Sequence, residues 1–235
     1  MQEEVVRIRD PLGFAFDPSC VLYLPLWKRD ASIFANQRAF MSGDAYGHRC
    51  LVLGALWTPQ GYTFDGTDDY IDCGSSTALA ISGAGSQLTV IAWIKPETPA
   101  LTYARIVARA DAANEGYFLA HGSLAGSVFF TIKDVANASL TSTNLMVMSS
   151  WNHVAGVYDG YRLKIYLQGL EDSRTAADYT SGVSAYAGGS LLIGKANTVD
   201  SRYIKGIPGE VAVLNRGLTP LQIQRHFLAT KWRYS

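Results

Sequence analysis

The chain has 235 residues, of which 48% are hydrophobic and 17% charged, a composition that builds an ordered core rather than a disordered segment. Its 20 Lys+Arg balance 20 Asp+Glu, so no basic field exists to hold a phosphate backbone, and nucleic acid is excluded as a partner. No apolar run approaches the roughly 20 residues that span a bilayer, which excludes membrane insertion by a helix.

The chain opens Met-Gln-Glu-Glu-Val-Val-Arg-Ile-Arg-Asp, acidic where a secretory signal is apolar, and the expectation is a protein made in the cytoplasm without a signal peptide. Residues 1–19 read as an N-terminal arm that ends in turn-prone Asp17-Pro18-Ser19. One domain is expected over 20–235. Within it, short strands follow one another at Val21–Leu26, Tyr62–Asp65, Tyr70–Cys73, Leu88–Lys95, Arg105–Arg109 and Tyr117–His121. The series continues at Val128–Lys133, His153–Tyr158, Leu163–Leu167, Leu191–Gly194 and Glu210–Leu214. Asp65-Gly66, Gly122-Ser123, Asp159-Gly160 and Gly188-Gly189 are among the turn signals between them. Strands in such succession, with no alternating helices, predict an all-β, two-sheet antiparallel sandwich.

Individual strands carry more detail. Leu88-Thr-Val-Ile-Ala-Trp-Ile94 is apolar on both faces, so it belongs at the centre of a sheet whose outer face is covered. Val128, Phe130 and Ile132 point one way, and Phe129 is left as an aromatic on the polar side. Leu163, Ile165 and Leu167 alternate with polar neighbours after the Asp159-Gly160 turn, as a half-buried hairpin strand requires. One short helix closes the chain. Thr219 is its N-cap, Pro220 its first residue and Gln222 the far end of a capping box; Ile223, Phe227, Leu228 and Trp232 form the stripe expected to lie on the sandwich. Cys20, Cys50 and Cys73 have no metal-ligand spacing; they read as buried thiols, with one pair plus a free thiol as the alternative.

Four segments together resemble one family. Phe64-Asp-Gly-Thr-Asp-Asp-Tyr-Ile-Asp72, Leu88-Thr-Val-Ile-Ala-Trp-Ile-Lys-Pro96, the hairpin Trp151-Asn-His-Val-Ala through Gly169, and Gly206-Ile-Pro-Gly-Glu-Val-Ala-Val-Leu-Asn-Arg-Gly-Leu-Thr-Pro220 are similar, in order, to the motifs of the laminin-G-like, concanavalin A-like lectin family. Val21-Leu-Tyr-Leu-Pro-Leu26 resembles the family's first strand, so the likeness covers about residues 20–232. It implies a jelly roll of about 12–14 strands with a short C-terminal helix. Three positions depart from the pattern: Gln168 stands where the family usually has Asp, Gly209 where it often has an acidic residue, and Leu214 where it has Tyr.

Hydrolysis of glycans with retention needs two carboxyl groups about 5–5.5 Å apart, yet none of the six Glu (3, 4, 97, 115, 171 and 210) begins the alternating acidic run that supplies them. No enzyme is expected, and no cofactor is required. Asp65, Asp68, Asp69 and Asp72 form an acidic cluster that is a candidate calcium site, with Asp44 as a second; turn-building is the competing role of these residues. Gly189-Ser-Leu-Leu-Ile-Gly-Lys-Ala196 imitates a P-loop but has Ala where Mg²⁺ needs a hydroxyl, and reads as a strand. His153 reads as a structural histidine.

Aromatic residues give the better lead, since rings stack on the C–H face of a sugar. Tyr103, Tyr117, Tyr161, Tyr179, Tyr186 and Tyr203, at strand ends or in loops, are the candidate ligand-binding residues. The resemblance, together with the expected lack of a signal peptide, implies a non-catalytic surface-binding or structural module of a virion (capsid decoration or tail-associated) or a cell-surface adhesion protein, with a soluble carbohydrate-binding lectin and then a divergent glycan-active enzyme as the alternatives. Its expected partners are surface glycans or neighbouring subunits. In the first case Val5, Val6, Ile8, Phe14 and Phe16 of the arm would dock on the next subunit by strand addition and give a homo-oligomer or larger assembly.

Overall fold

The computed structural model describes residues 17–28, 40–44, 46–98, 102–110, 115–133, 138–172, 178–179, 182–183, 189–196 and 202–235. The assembly arm Val5, Val6, Ile8, Phe14 and Phe16 and the candidate Tyr186 lie outside them. In chain order the strands are β1 (Cys20–Leu24), β2 (Phe40–Gly43), β3 (Arg49–Leu53), β4 (Leu56–Thr58), β5 (Gly61–Asp65) and β6 (Tyr70–Asp72). Next come β7 (Leu88–Pro96), β8 (Arg105–Ala110), β9 (Glu115–His121), β10 (Val128–Ile132) and β11 (Ala138–Thr141). The last are β12 (Asn152–Tyr158), β13 (Leu163–Leu167), β14 (Leu170–Glu171), β15 (Ser190–Ile193) and β16 (Lys205–Leu214), and helix α1 spans Pro220–Thr230.

These form two eight-stranded antiparallel sheets. The first runs β14-β13-β12-β7-β16-β5-β4, with β1 also paired to β16; the second runs β11-β10-β9-β8-β15-β6-β3-β2. Period 2 decides what lies between them. Val90, Ala92 and Ile94 of β7, Val154 of β12 and Ile165 of β13 meet Val107, Leu119, Phe130 and Ile193 of the second sheet in one buried cluster. The all-β sandwich and the single C-terminal helix are as the sequence predicts. Among the described residues, no helix is long and apolar enough to cross a membrane.

The sequence reading misses β2, β3, β4, β11 and β14 and places the start of β16 five residues late. β4 and β14 have three and two residues, too few to show a period. β16 contains Pro208 and Gly209, which signal a break; here they fall at a bulge in its pairing with β7, where the missing N–H of proline is tolerated. At the β12–β13 hairpin, Gly160 has φ +90°, and the Asp159 carboxylate accepts from the Tyr161 and Arg162 amides at 3.0 and 2.7 Å.

The outer face of the first sheet is covered by α1, which explains why β7 is apolar on both sides. Ile91, Ala155, Ala212 and Leu214 meet Leu218 and Ile223 in a second buried cluster. Beside it lies a polar and aromatic anchor. Trp93 stacks on Tyr234 (centroids 4.5 Å) and Phe227 (5.8 Å) and donates its indole N–H to Thr230 Oγ1 at 2.8 Å. His153, wholly buried, shares a 2.9 Å hydrogen bond with His226 Nδ1; His226 Nε2 lies 3.5 Å from Glu210 Oε1, and Arg233 donates to Glu210 Oε2 at 2.8 Å. Burial, then the neighbouring His226, hold the His153 imidazole well below its ordinary range.

This anchor corrects the expected helix stripe. Ile223 is buried and Phe227 stacks on Trp93, but Leu228 is 50% and Trp232 65% exposed. His226 and Thr230 take the inward positions instead, because Trp93 and His153 need hydrogen-bond partners there. Two departures from the family pattern find their reasons nearby. A Cβ at Gly209 would overlap the rings of Tyr234 and Trp151, so no side chain fits. Gln168, at φ +50°, accepts from the His153 amide at 3.2 Å and donates to Trp151 O at 3.3 Å, linking the turn to β12.

Candidate functional site

The outer face of the second sheet carries the residues that alternate away from the core. Register places Phe129 of β10 opposite Ala120 of β9, Phe118 of β9 opposite Ala108 of β8, and Arg105 opposite Ala120. Small alanines leave room for the rings. Ala108, Phe118 and Ala120 form a buried cluster against which the half-buried Phe129 packs, its centroid 5.8 Å from that of Phe118. The Arg105 guanidinium lies over the Phe118 ring at 3.7 Å.

From there an aromatic and cationic strip continues along the ends of the strands. Tyr103 meets Phe129 edge-on at 5.1 Å, and Arg202 lies over the Tyr103 ring at 5.4 Å. Two backbone links bring the next residues alongside. Arg105 donates its amide to Arg202 O at 3.1 Å, and Ile204 donates to Gly194 O at 2.9 Å, so Tyr203 and Lys195 come together. Lys195 Nζ sits 4.2 Å above Tyr70 and 5.5 Å from the Tyr203 ring, and these two rings are 6.4 Å apart. Phe129, Tyr103, Tyr203 and Tyr70 are each half-buried, so part of each residue stays open to solvent. Tyr103 also has φ +58°, a costly conformation for a residue with a side chain, with Arg105 donating to its carbonyl.

The expected tyrosines therefore divide. Tyr103 and Tyr203 belong to the strip. Tyr117 and Tyr179 do not reach a ligand: Tyr117 is wholly buried and donates to Leu79 O at 3.1 Å, and Tyr179 packs on Tyr158, which donates to its carbonyl at 2.9 Å. Both lie close to turns in sequence, but their rings fill the interior near the sandwich end. Tyr161 is 45% exposed at the β12–β13 hairpin, where it hydrogen-bonds Asp178, away from the strip.

Sequence reasoning missed Tyr70, Phe118, Arg105, Lys195 and Arg202. One signal was present: Phe129, an aromatic on the polar face of its strand, marks the site. Lys195 was hidden in the P-loop imitation, which is strand β15 with Leu191 and Ile193 wholly buried.

Of the candidate metal ligands, Asp65, Asp68 and Asp69 bring one carboxylate oxygen each within 4.8 Å of the others. Asp65 Oδ1 accepts from the Thr67 and Asp68 amides at 2.7 and 3.4 Å, and Asp69 Oδ2 from the Asp65 amide at 2.8 Å, so these carboxylates also build the turn after β5. Burial, then the charges of Asp65 and Asp68, raise the Asp69 carboxyl. Asp44 stands apart, bound to the Tyr46 amide and to His48 Nδ1, and Asp72 accepts from the Gly74 amide at 2.8 Å.

By sequence, no curated protein matches the chain. In structure it is similar to the sialidase of Trypanosoma rangeli, seen in complex with sialic acid (TM-score 0.66, 13% identity), matching over 93% of this chain and 34% of that one. It is also similar to domain 4 of AbnA, a GH43 extracellular arabinanase from Geobacillus stearothermophilus in complex with arabinotriose (TM-score 0.60, 17% identity, 88% of this chain and 97% of that one). A third likeness is to the binding domain of botulinum neurotoxin serotype G (TM-score 0.64, 12% identity, 89% and 50%). The chain thus spans about a third of the sialidase and nearly all of the arabinanase domain. The family model for the concanavalin A-like lectin/glucanases superfamily matches residues 65–224, from the end of β5 into α1, and the chain belongs to that superfamily.

Proposed function

We propose that the protein is a non-catalytic carbohydrate-binding module whose site is the strip from Phe129 to Tyr70. One observation carries this reading: four half-buried rings, interleaved with Lys195 and Arg202, run along the strand ends of one sheet. Rings of this kind take the C–H face of a sugar, while the cations and exposed backbone bind its hydroxyls. The rings are already braced by one another, so little order is lost when a ligand arrives. The arabinanase domain, similar over nearly its whole length, is seen with arabinotriose.

Against hydrolysis stands the chemistry of the same face. Among its described side chains Asp72 is the acid, and its carboxylate is engaged by Gly74; a retaining pair needs a second carboxyl about 5–5.5 Å away.

A glycan array that includes arabinotriose and sialic acid-terminated oligosaccharides tests the reading. Binding is expected, and Phe129→Ala or Tyr203→Ala should each weaken it about tenfold or more, as the loss of one stacked ring does elsewhere. Tyr161→Ala, remote from the strip, should leave it unchanged. Binding that survives both strip substitutions, or turnover of any bound glycan, would overturn the proposal.

A further inference from the structure

Cys50 and Cys73 are separated by 23 positions in sequence and by one strand spacing in the fold. β3 pairs with β6 as Leu51↔Asp72 and Val52↔Ile71, so the next rung outward sets Cys50 opposite Cys73. Both side chains point between the sheets, on the same face as Val52 and Ile71, and they are 0% and 2% exposed. The hydrogen-bond phase of this rung matters. Cys73 gives its N–H to Leu191 O at 2.8 Å, toward β15 and away from β3. The rung is therefore a non-hydrogen-bonded pair, in which Cα atoms stand about 4.5 Å apart and side chains are closest. That spacing lies within the range that a disulfide spans. Burial raises the Cys73 thiol well above its ordinary range, and the Cys50 thiol beside it adds to the effect.

Cys20 is excluded from this pairing. Its side chain lies on the far side of the first sheet, against Ile91, Ala155 and Ala212, and donates to Leu22 O at 3.3 Å.

We propose that Cys50 and Cys73 are a cross-strand disulfide site, closed by thiol–disulfide exchange with a small-molecule disulfide, and that Cys20 stays a thiol. In the exchange one cysteine thiolate attacks the small disulfide and expels a thiolate, leaving a mixed disulfide. The second cysteine sulfur then attacks the protein sulfur of that mixed disulfide and expels the other half. Two protein S–H bonds and one small-molecule S–S bond are replaced by one protein S–S bond and two small-molecule thiols. Closure staples β3 to β6, the strand that carries Tyr70 of the strip.

The full chain, unfolded and reduced, is refolded in a buffer of oxidised and reduced glutathione, and separately in reductant. Free thiols are then alkylated and the peptides mapped after cleavage before aspartate, which cuts between the two cysteines at Asp65, Asp68, Asp69 and Asp72. Refolding in glutathione should give a Cys50–Cys73 linkage, an alkylated Cys20 and a melting temperature raised by about 5–10 °C over the reduced form. The Cys20→Ser variant should behave identically, and Cys73→Ser should lose both the linkage and the shift. Three alkylated thiols after refolding in glutathione, or a linkage that contains Cys20, would overturn the proposal. Because the Cys20→Ser protein keeps the whole site, a Cys73→Ser variant that fails to fold leaves the test intact.

Discussion

His121 ends β9 with its ring on the core face, opposite Val128, and neither ring nitrogen finds a hydrogen-bond partner among the described residues. Burial pushes its imidazole down to about 4, whereas an unfolded chain titrates near 6.5. The unfolded state therefore takes up the proton first as acid is added. Stability from this residue is complete above about pH 6.5 and is lost as pH falls toward 4, by roughly 3 kcal/mol for a shift of this size. His153 acts in the same direction. Urea titrations at pH 7 and pH 4.5 should show the loss, and His121→Leu, which places an apolar side chain in an apolar site, should remove a large part of it. An unchanged difference between the two pH values in that variant would assign the effect to other groups. Nothing in the sequence around Ala120-His121-Gly122 announces this burial; it follows from register, which turns His121 inward with Tyr117 and Leu119.

At the scale of elements, α1 shows which parts of the fold can be read from local sequence. Its capping box is present as expected, the Thr219 side chain accepting from the Gln222 amide and Gln222 Oε1 from the Thr219 amide at 2.9 Å. Local chemistry sets that end of the helix, so the sequence reveals it. The inward face is different, because it is set by what β7 and β12 present. Thr230→Val leaves the buried Trp93 indole N–H without its acceptor and should cost about 1–3 kcal/mol, while Thr230→Ser, which keeps the hydroxyl, should cost less than half as much. Thr219→Ala should cost about 1 kcal/mol from the lost cap. All three are measured as changes in urea midpoint at constant m-value; equal costs for Val and Ser at position 230 would mean that packing, not the hydrogen bond, holds the helix. Strands divide in the same way. Those with a strict period, such as β13, are legible. β4, β11 and β14 owe their existence to a neighbour's unpaired edge.

For the whole molecule the question is what holds two eight-stranded sheets in one register, and a close approach between them gives a test. Gly156, in the middle of β12 on the first sheet, faces Phe130, in the middle of β10 on the second, and a Cβ on Gly156 would overlap that ring. Phe130 is wholly buried. In the sequence Gly156 passes for a weak point in an apolar strand; in the fold its missing side chain is the space that the opposite sheet's ring occupies, a relation no local pattern can encode. The candidate site is hidden for the same reason. Phe129 alone breaks its strand's alternation, while Tyr70, Tyr103, Lys195 and Tyr203 come together through strand order. Gly156→Ala should therefore destabilise the protein by about 1–3 kcal/mol through overpacking, and Phe130→Leu by a similar amount through the cavity it leaves. The double variant should cost less than the sum of the two, because leucine vacates the volume that the added methyl needs. A coupling of 1 kcal/mol or more in this cycle would locate a rigid contact between the sheets at this pair. Strict additivity would show that the sheets separate locally at no cost, and would leave the register to be held by the outer strands and by the helix that covers the first sheet.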